Sequence, residues 1–428
     1  MGGLFGVVSK KECLEELLYG TIYHSHLGDG RAGLSVFKEG RMDKKIRDVT
    51  SKPVKVAFSD IYNEYGNDNI QMGIGKVSSV NPQPLTFDTR QGQRAVSFTG
   101  MIRNCDEIAE KLIKKGHSFE LSDGKVNPVS VVNTVINEEE NVVAGIESLT
   151  DIGKGSINVL MLTNEGIIAS RDALGRTPLT ISKTDTKTVI ATETSAFHNI
   201  DCYHPDEPLY SMGPGEIVHI HRDGEIEQLK KPNDIMQVCG FYFIYTGFPA
   251  SEIDGISIEN YRYGLGANVE EIETLMNLGI DVDFVADTPD SGSASAYGAA
   301  NYSKLDFKRV FNKYQKEYGG RSFTPGDQRI RYLIAKLKLI PVPHNIRNQK
   351  FKIYDDSIVR GTQFTRKIEL LEYYKAIESH VRISCHPYTF ACKYLNSTRE
   401  PENLAWRKAA MQVYNKNDDD IMYEIIND

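Results

Sequence analysis

Residues 351–366, FKIYDDSIVRGTQFTR, restrict the fold more than any other stretch of the chain. Phe351 to Tyr354 is a short apolar run of strand type that ends in two adjacent carboxylates, Asp355 and Asp356. A turn of small residues follows, Ser357 to Thr362, with Gly361 inside it. Beyond the turn, Phe364, Ile368 and Leu371 fall at helical spacing and predict an amphipathic helix. Strand, tight loop and helix in that order form the repeating piece of a βαβ domain. Such a junction aims backbone N–H groups and hydroxyls at one point beside a helix N-terminus, where a phosphate can be held. The two acids would repel that phosphate, so they fit sugar hydroxyls, or a Mg²⁺ that bridges to the same ligand. A phosphorylated sugar satisfies both halves. The plain alternative is a capped βα turn with no ligand.

The order YDDSIVRGT closely resembles the 5-phosphoribosyl 1-pyrophosphate (PRPP) motif of type I phosphoribosyltransferases. Its SIVRGT form is most similar to the glutamine-dependent amidophosphoribosyltransferases, which open purine synthesis. The resemblance implies that Asp355 and Asp356 hold the ribose hydroxyls and Mg²⁺. It likewise implies that Ser357, Arg360, Gly361 and Thr362 cradle the 5′-phosphate. One βα unit earlier, DVDFVADTPDSGSASAYGAA (281–300) reads as a strand, a tight turn and a helix start. PDSG is common turn chemistry, but the family has PVPDSG at this place. Pro289, Asp290, Ser291 and Gly292 are therefore expected to hold pyrophosphate through backbone amides.

Residues 310–324, VFNKYQKEYGGRSFT, resemble the family's KNRYVGRTFI loop, which closes over PRPP. Arg321 aligns with its arginine and is expected at the pyrophosphate, with Tyr318 or Tyr314 as the aromatic. Three additional residues leave the placement of Lys313 open. KLKLIPV (336–342) matches the family's KLKLNPV, and residues 263–279 read as a helix with Leu265, Val269, Ile272 and Leu275 as its apolar stripe.

The amino-terminal half is a run of strands: GGLFGVV, the strand after HSHLGDGRAG, GIGKV (73–77), AVSFTGMIRN (95–104), several within 157–181, and GPGEIVHI (213–220). A helix is expected from Lys10 to about Tyr19. Strands with few helices between them point to a sandwich with helices outside. This half resembles the N-terminal-nucleophile glutaminase domain of the same family. RDALGRTPL is similar to RDPLGxRPL, and HLGDGRAG stands where the family has HRGQESAG.

The glutaminase chemistry does not carry over. In the family a cysteine at the mature amino terminus attacks the glutamine amide, with its own α-amine as base. Here Gly2 follows Met1, and Cys13 on the predicted helix has no terminal amine beside it. The oxyanion-hole Asn-Gly pair is Thr99-Gly100, and the arginine that clamps the glutamine carboxylate is Ser78. Asp123 matches, in a weak context, the acid that holds the substrate amine. In the passage joining the halves, the acid before the first Tyr of CxFEYxYFARPDS is Ile244.

The expected architecture is therefore an α+β N-terminal-nucleophile-type sandwich (αββα) over 1–235. An α/β type I phosphoribosyltransferase domain with a mostly parallel sheet follows over 250–428. A net charge of −8 gives no basic footprint for nucleic acid. No apolar run approaches membrane-spanning length, and MGGLFGVVSKK fits neither a signal peptide nor a myristoylation signal. Six scattered cysteines fit a reducing cytoplasm. Some family members carry an iron–sulfur cluster on four cysteines, but only Cys239 and Cys392 fall near those positions, so no cluster is expected.

The reading is an enzyme that makes phosphoribosylamine from PRPP with ammonia or another small amine. The family resemblance implies a homo-oligomer, and nucleotide effectors are open. Two alternatives stand beside it: a PRPP- or nucleotide-binding regulator of a partner, and a phosphoribosyltransferase with a different acceptor.

Overall fold

The computed structural model describes residues 2–50, 54–66, 68–313, 339–392, 394 and 401–414. Arg321, Tyr314 and Tyr318 lie outside the described residues. The chain divides into two compact units. The first is Met1–Cys239 with Ala250–Gly255 and Lys393–Asn396, and the second is Gly240–Pro249, Ile256–Cys392 and Ser397–Asp428.

In the first unit, the strand Gly2–Ser9 is buried along its whole length, which explains a sequence without polar alternation. It lies inside a seven-stranded sheet. The order is Tyr210–Ser211, Thr180–Lys183, Lys187–Ala191, Gly2–Ser9, Met72–Ser78, Arg31–Lys38, Arg41–Asp48. A second sheet has six strands, in the order Ile226–Lys230, Ile217–His221, Gly166–Ser170, Gly155–Thr163, Gly92–Ile102, Leu85–Thr89. Leu4 and Ile74 of the first sheet meet Leu160, Ile167 and Val218 of the second in one apolar cluster. Outside the first sheet, Leu17, Phe58 and Ile61 of helices Leu14–Ile22 and Val54–Tyr65 pack on Phe5 and Val7. Outside the second, Ile108, Val132 and Leu149 of helices Cys105–Lys114, Pro128–Glu138 and Val142–Ile152 pack on Val96 and Met161.

Four layers, αββα, result. The last two of those helices are capped by asparagines. Asn127 accepts from Val129 N, with Pro128 in the first turn, and Asn141 accepts from Ala144 N. The first helix starts later than Lys10, because Glu12 accepts the Leu14 N–H at 2.7 Å.

Residues 250–255 stay with the first unit because buried Arg171 grips Asp254 through two bonds of 2.7 and 2.8 Å. The Arg171 side chain also donates to the carbonyls of Thr177 and Gly175, so the RDALGR stretch serves as scaffold.

The second unit carries a three-stranded parallel sheet, in the order Phe284–Asp287, Lys350–Asp355, Glu378–Ile383. Helices Ser293–Ser303 and Thr362–Tyr373 follow the first two strands. The expected helix over 263–279 runs from Ile258 to Leu275, but the expected stripe is not its buried face. Ile272 and Leu275 are 54% and 79% exposed, while Ile258, Arg262, Gly266 and Glu270 are buried.

The strand dictates this. Phe351 and Ile353 face one apolar cluster, and Lys352 and Tyr354 face the helix. Lys352 Nζ donates to Glu270 and Glu273, each at 2.7 Å, and the Tyr354 hydroxyl donates to Glu270 at 2.6 Å. Buried charge is tolerated only when paired in this way. The helix Thr362–Tyr373 departs from expectation likewise: Leu371 is buried, Ile368 is 40% exposed, and Lys367 faces inward. Among the described residues no helix is long and apolar enough to cross a membrane.

Candidate active site

The C-terminal ends of the two neighbouring parallel strands bring the two sequence motifs together, where α/β sheets place ligands. Phe284 to Asp287 pairs with Phe351 to Tyr354, and Thr288 N donates to Tyr354 O at 2.8 Å. The Ser291 hydroxyl then donates to Asp355 Oδ1 at 2.7 Å, tying the PDSG turn to the acidic pair. Gly292 has no room for a side chain, since a Cβ would lie 2.1 Å from Tyr354 O.

Asp355 and Asp356 are both buried. Asp355 is already neutralised. Lys367 Nζ lies 2.5 Å from its Oδ2 and 2.9 Å from Thr288 Oγ1, while Asp356 N donates to its Oδ1 at 2.9 Å. Asp356 accepts from the Ser357 hydroxyl at 2.9 Å on Oδ1 and keeps Oδ2 without a protein partner among the described residues. Burial, and then the Asp355 charge, push its carboxyl up to about 7. A metal ion held directly by both carboxylates would have to share Asp355 Oδ2 with Lys367, because Oδ1 already accepts from Ser291 and from Asp356 N. Asp356 fits a hydroxyl donor instead.

The loop beyond the acids has the form of an anion cradle. The amides of Ser357, Ile358, Val359 and Gly361 donate to no protein acceptor among the described residues. Gly361 takes φ +77, a left-handed conformation that glycine adopts without strain, and the helix begins at Thr362. Arg360 and Thr362 are half-buried beside it. In the earlier turn, Pro289 is buried, Asp290 is exposed at φ +68, and Lys313 Nζ pairs with Asp290. Lys313, left open by the sequence, thus stands at the PDSG turn.

Sequence reasoning missed Lys367, and it missed Cys385 at the end of the third strand. Burial and the negative charge of Asp356 and Asp355 push the Cys385 thiol up to about 12, so it is no nucleophile.

The glutaminase-like positions form a second cluster, in the first unit. Gly2 pairs with Ser78, and Leu4 pairs with Lys76, so these residues share the face that looks between the two sheets. A Cβ on Gly2 would lie 2.8 Å from Lys76 Nζ and 2.3 Å from Val77 O. Lys76 is 1% exposed and has no hydrogen-bond or ionic partner among the described residues. Burial alone lowers its pKa well below the usual range. The Thr99 hydroxyl is spent on Gly2 O at 2.5 Å, and Gly100 follows at φ +116. Ser78 is buried, with Val80 N approaching its hydroxyl at 3.4 Å. Asp123 sits at an exposed hairpin turn between Leu121–Ser122 and Lys125–Val126. His24, which the sequence did not flag, is buried beside Gly3. Its Nδ1 lies 2.8 Å from Gly20 O, and desolvation lowers it to about 4.

Known proteins resemble this chain over most of its length. The sequence model of the glutamine amidotransferase domain matches residues 71–199. The amidophosphoribosyltransferase of Pyrococcus horikoshii is 30% identical over 417 residues, covering 95% of this chain and 87% of that protein. That of Methanothermobacter thermautotrophicus is 27% identical over 405 residues, covering 92% and 82%. The solved glutamine PRPP amidotransferase from B. subtilis, complexed with ADP and GMP, aligns with a TM-score of 0.80 at 25% identity. That alignment covers 96% of this chain and 88% of the solved one.

Proposed function

The chain belongs to the amidophosphoribosyltransferase family, and on that premise we propose that it forms phosphoribosylamine from PRPP with ammonia or another small amine, not with glutamine. One observation carries the second half of this reading. The space a nucleophilic side chain on Gly2 would need is taken by the Val77 carbonyl, 2.3 Å from where its Cβ would stand, and by the amine of Lys76 at 2.8 Å. The lost oxyanion amide at Thr99 and the lost clamp at Ser78 point the same way.

In the transferase half, the nitrogen lone pair attacks C1 of the ribose while the C1–O bond breaks and its electron pair leaves with pyrophosphate. The nitrogen then sheds a proton. Catalysis of such a displacement rests on positioning and on neutralising the leaving group. In this reading Asp356 Oδ2 accepts from a ribose hydroxyl, and Asp355, held by Lys367 and Ser291, positions Asp356 through its backbone N–H. The amides of the 357–361 loop and the hydroxyl of Thr362 take the 5′-phosphate. Pro289 to Gly292, with Lys313 and Arg321, take the pyrophosphate. Mg²⁺ is expected to arrive with PRPP, since Asp355 Oδ2 is already paired with Lys367.

The test is pyrophosphate release from Mg²⁺·PRPP at alkaline pH, with ammonium chloride and with glutamine in separate reactions. Release with ammonium alone is expected. Sustained release with glutamine and no added ammonia would refute the loss of glutaminase activity. A second reading, a PRPP- or nucleotide-binding regulator, draws support from the self-neutralised Asp355. It predicts PRPP binding with no pyrophosphate released in either reaction.

A further inference from the structure

We propose that His219, His221 and Glu227 form a binding site for a divalent transition-metal ion, zinc by donor type, on the outer face of the six-stranded sheet. The two histidines are two residues apart on the strand Ile217–His221, so both imidazoles leave the same face. Glu227, on the neighbouring strand Ile226–Lys230, stands directly opposite His219. The residues flanking His219 turn the other way: Val218 and Ile220 belong to the apolar cluster between the sheets. One ligand atom from each of the three lies within 4.8 Å of the others. Tetrahedral zinc, with bonds of about 2.0–2.2 Å, needs its ligand atoms about 3.3–3.5 Å apart. Small side-chain rotations bring them there.

The state of His219 distinguishes this cluster from an ordinary surface pair. His221 Nε2 and Glu227 Oε2 already meet at 2.9 Å, which by itself needs no metal. His219 Nε2 is buried and makes no hydrogen bond, and the His219 and His221 rings lie 4.0 Å apart between centroids.

Two imidazole nitrogens, one carboxylate oxygen and a water make a zinc-type donor set. Magnesium, which demands about six oxygens, is excluded by the same set. The ion would pin the edge strand Ile226–Lys230 to its neighbour close to the register shift at Ile217 and Val218. Edge strands are commonly protected by such local devices.

The full-length protein, stripped with chelator and dialysed, is titrated with Co²⁺ while the visible absorption of four-coordinate cobalt is recorded. Zn²⁺ then displaces it in a calorimeter. His219→Gln and Glu227→Gln are run in parallel, and Glu227 is exposed, so its variant keeps the fold even if the other does not. One equivalent of Zn²⁺ is expected in the parent, with affinity at least tenfold weaker in each folded variant and no competition from Mg²⁺. Uptake of equal affinity in parent and variants would assign the metal to other groups, such as the thiols, and overturn the site. Absence of uptake at micromolar Zn²⁺ would also overturn it.

Discussion

Asparagine in place of Asp356 is expected to stabilise the second unit at pH 8. Asp356 is held at about 7 against an ordinary 3.8, first by burial and then by the Asp355 carboxylate. Between those two values the folded protein binds the proton and the unfolded chain does not, so stability falls as pH rises through the window. The gap is about 3 pH units at about 1.4 kcal/mol each, a ceiling of about 4 kcal/mol. The two carboxylates titrate as a pair beside Lys367, and about half of that ceiling, ~2 kcal/mol, is expected from removing one charge. Asparagine keeps the shape and the acceptor for the Ser357 hydroxyl. For a unit of this size, 1 kcal/mol corresponds to about 2–4 °C, so the gain at pH 8 is about 4–8 °C. Differential scanning calorimetry from pH 4.5 to 8.5 reads it. The parent's transition should fall as pH rises from about 4 to about 7, the variant's should stay level, and the two should draw together toward pH 4. Parallel curves, or a variant less stable at pH 8, would refute a buried charged pair at this site.

Lys367→Met leaves Asp355 buried without its counter-ion and is expected to cost about 3–5 kcal/mol in urea unfolding at pH 7. Adding Asp355→Asn should recover most of it, and failure to recover would mean that Lys367 acts through packing. Gly2→Cys is expected to lose about 1–3 kcal/mol through overpacking against Lys76 and to release no ammonia from glutamine. Lys76→Ala in the same chain should recover only the part of that loss due to the lysine, since the Val77 carbonyl still lies 2.3 Å from the new Cβ, whereas glutamine hydrolysis by Gly2→Cys alone would show that both neighbours give way.

The strand–turn–helix units around Asp290 and Asp355 were legible because their signals are local: apolar runs, small-residue turns and helical spacing in adjacent residues. Which helix face turns inward was not. In the helix Thr362–Tyr373 the apolar period selects Ile368, yet a buried carboxylate on the preceding strand needs a cation, and Lys367 answers it. The same override turns Glu270 inward to Lys352 and Tyr354 and leaves Leu275 in solvent. Alternation in FKIY held the clue, since Lys352 and Tyr354 share a face. The helices over 105–152 were passed over, although Cys105, Ile108, Ala109 and Leu112 fall at helical spacing and Asn127 and Asn141 are legible caps. In the first unit, the sequence shows Gly2, Ser78 and Thr99 at positions where the resemblance expects a cysteine, an arginine and an asparagine. The filling of their space by Lys76 could not, because it depends on two strands lying in register. The pairing of His219 with Glu227 across the last hairpin is of the same kind, visible only as a period-two HIH until the register is known.

Because a side chain on Gly2 and the amine of Lys76 compete for one volume, the two positions are epistatic. A lineage that regained a nucleophile at position 2 would first meet a clash with the lysine. One that shortened the lysine first would pass through a protein with a void between its sheets and no catalytic gain. Neither single step is accommodated without a clash or a void. Under the function proposed above, the pair works as a ratchet: a departure from glutamine hydrolysis becomes hard to reverse by point mutation.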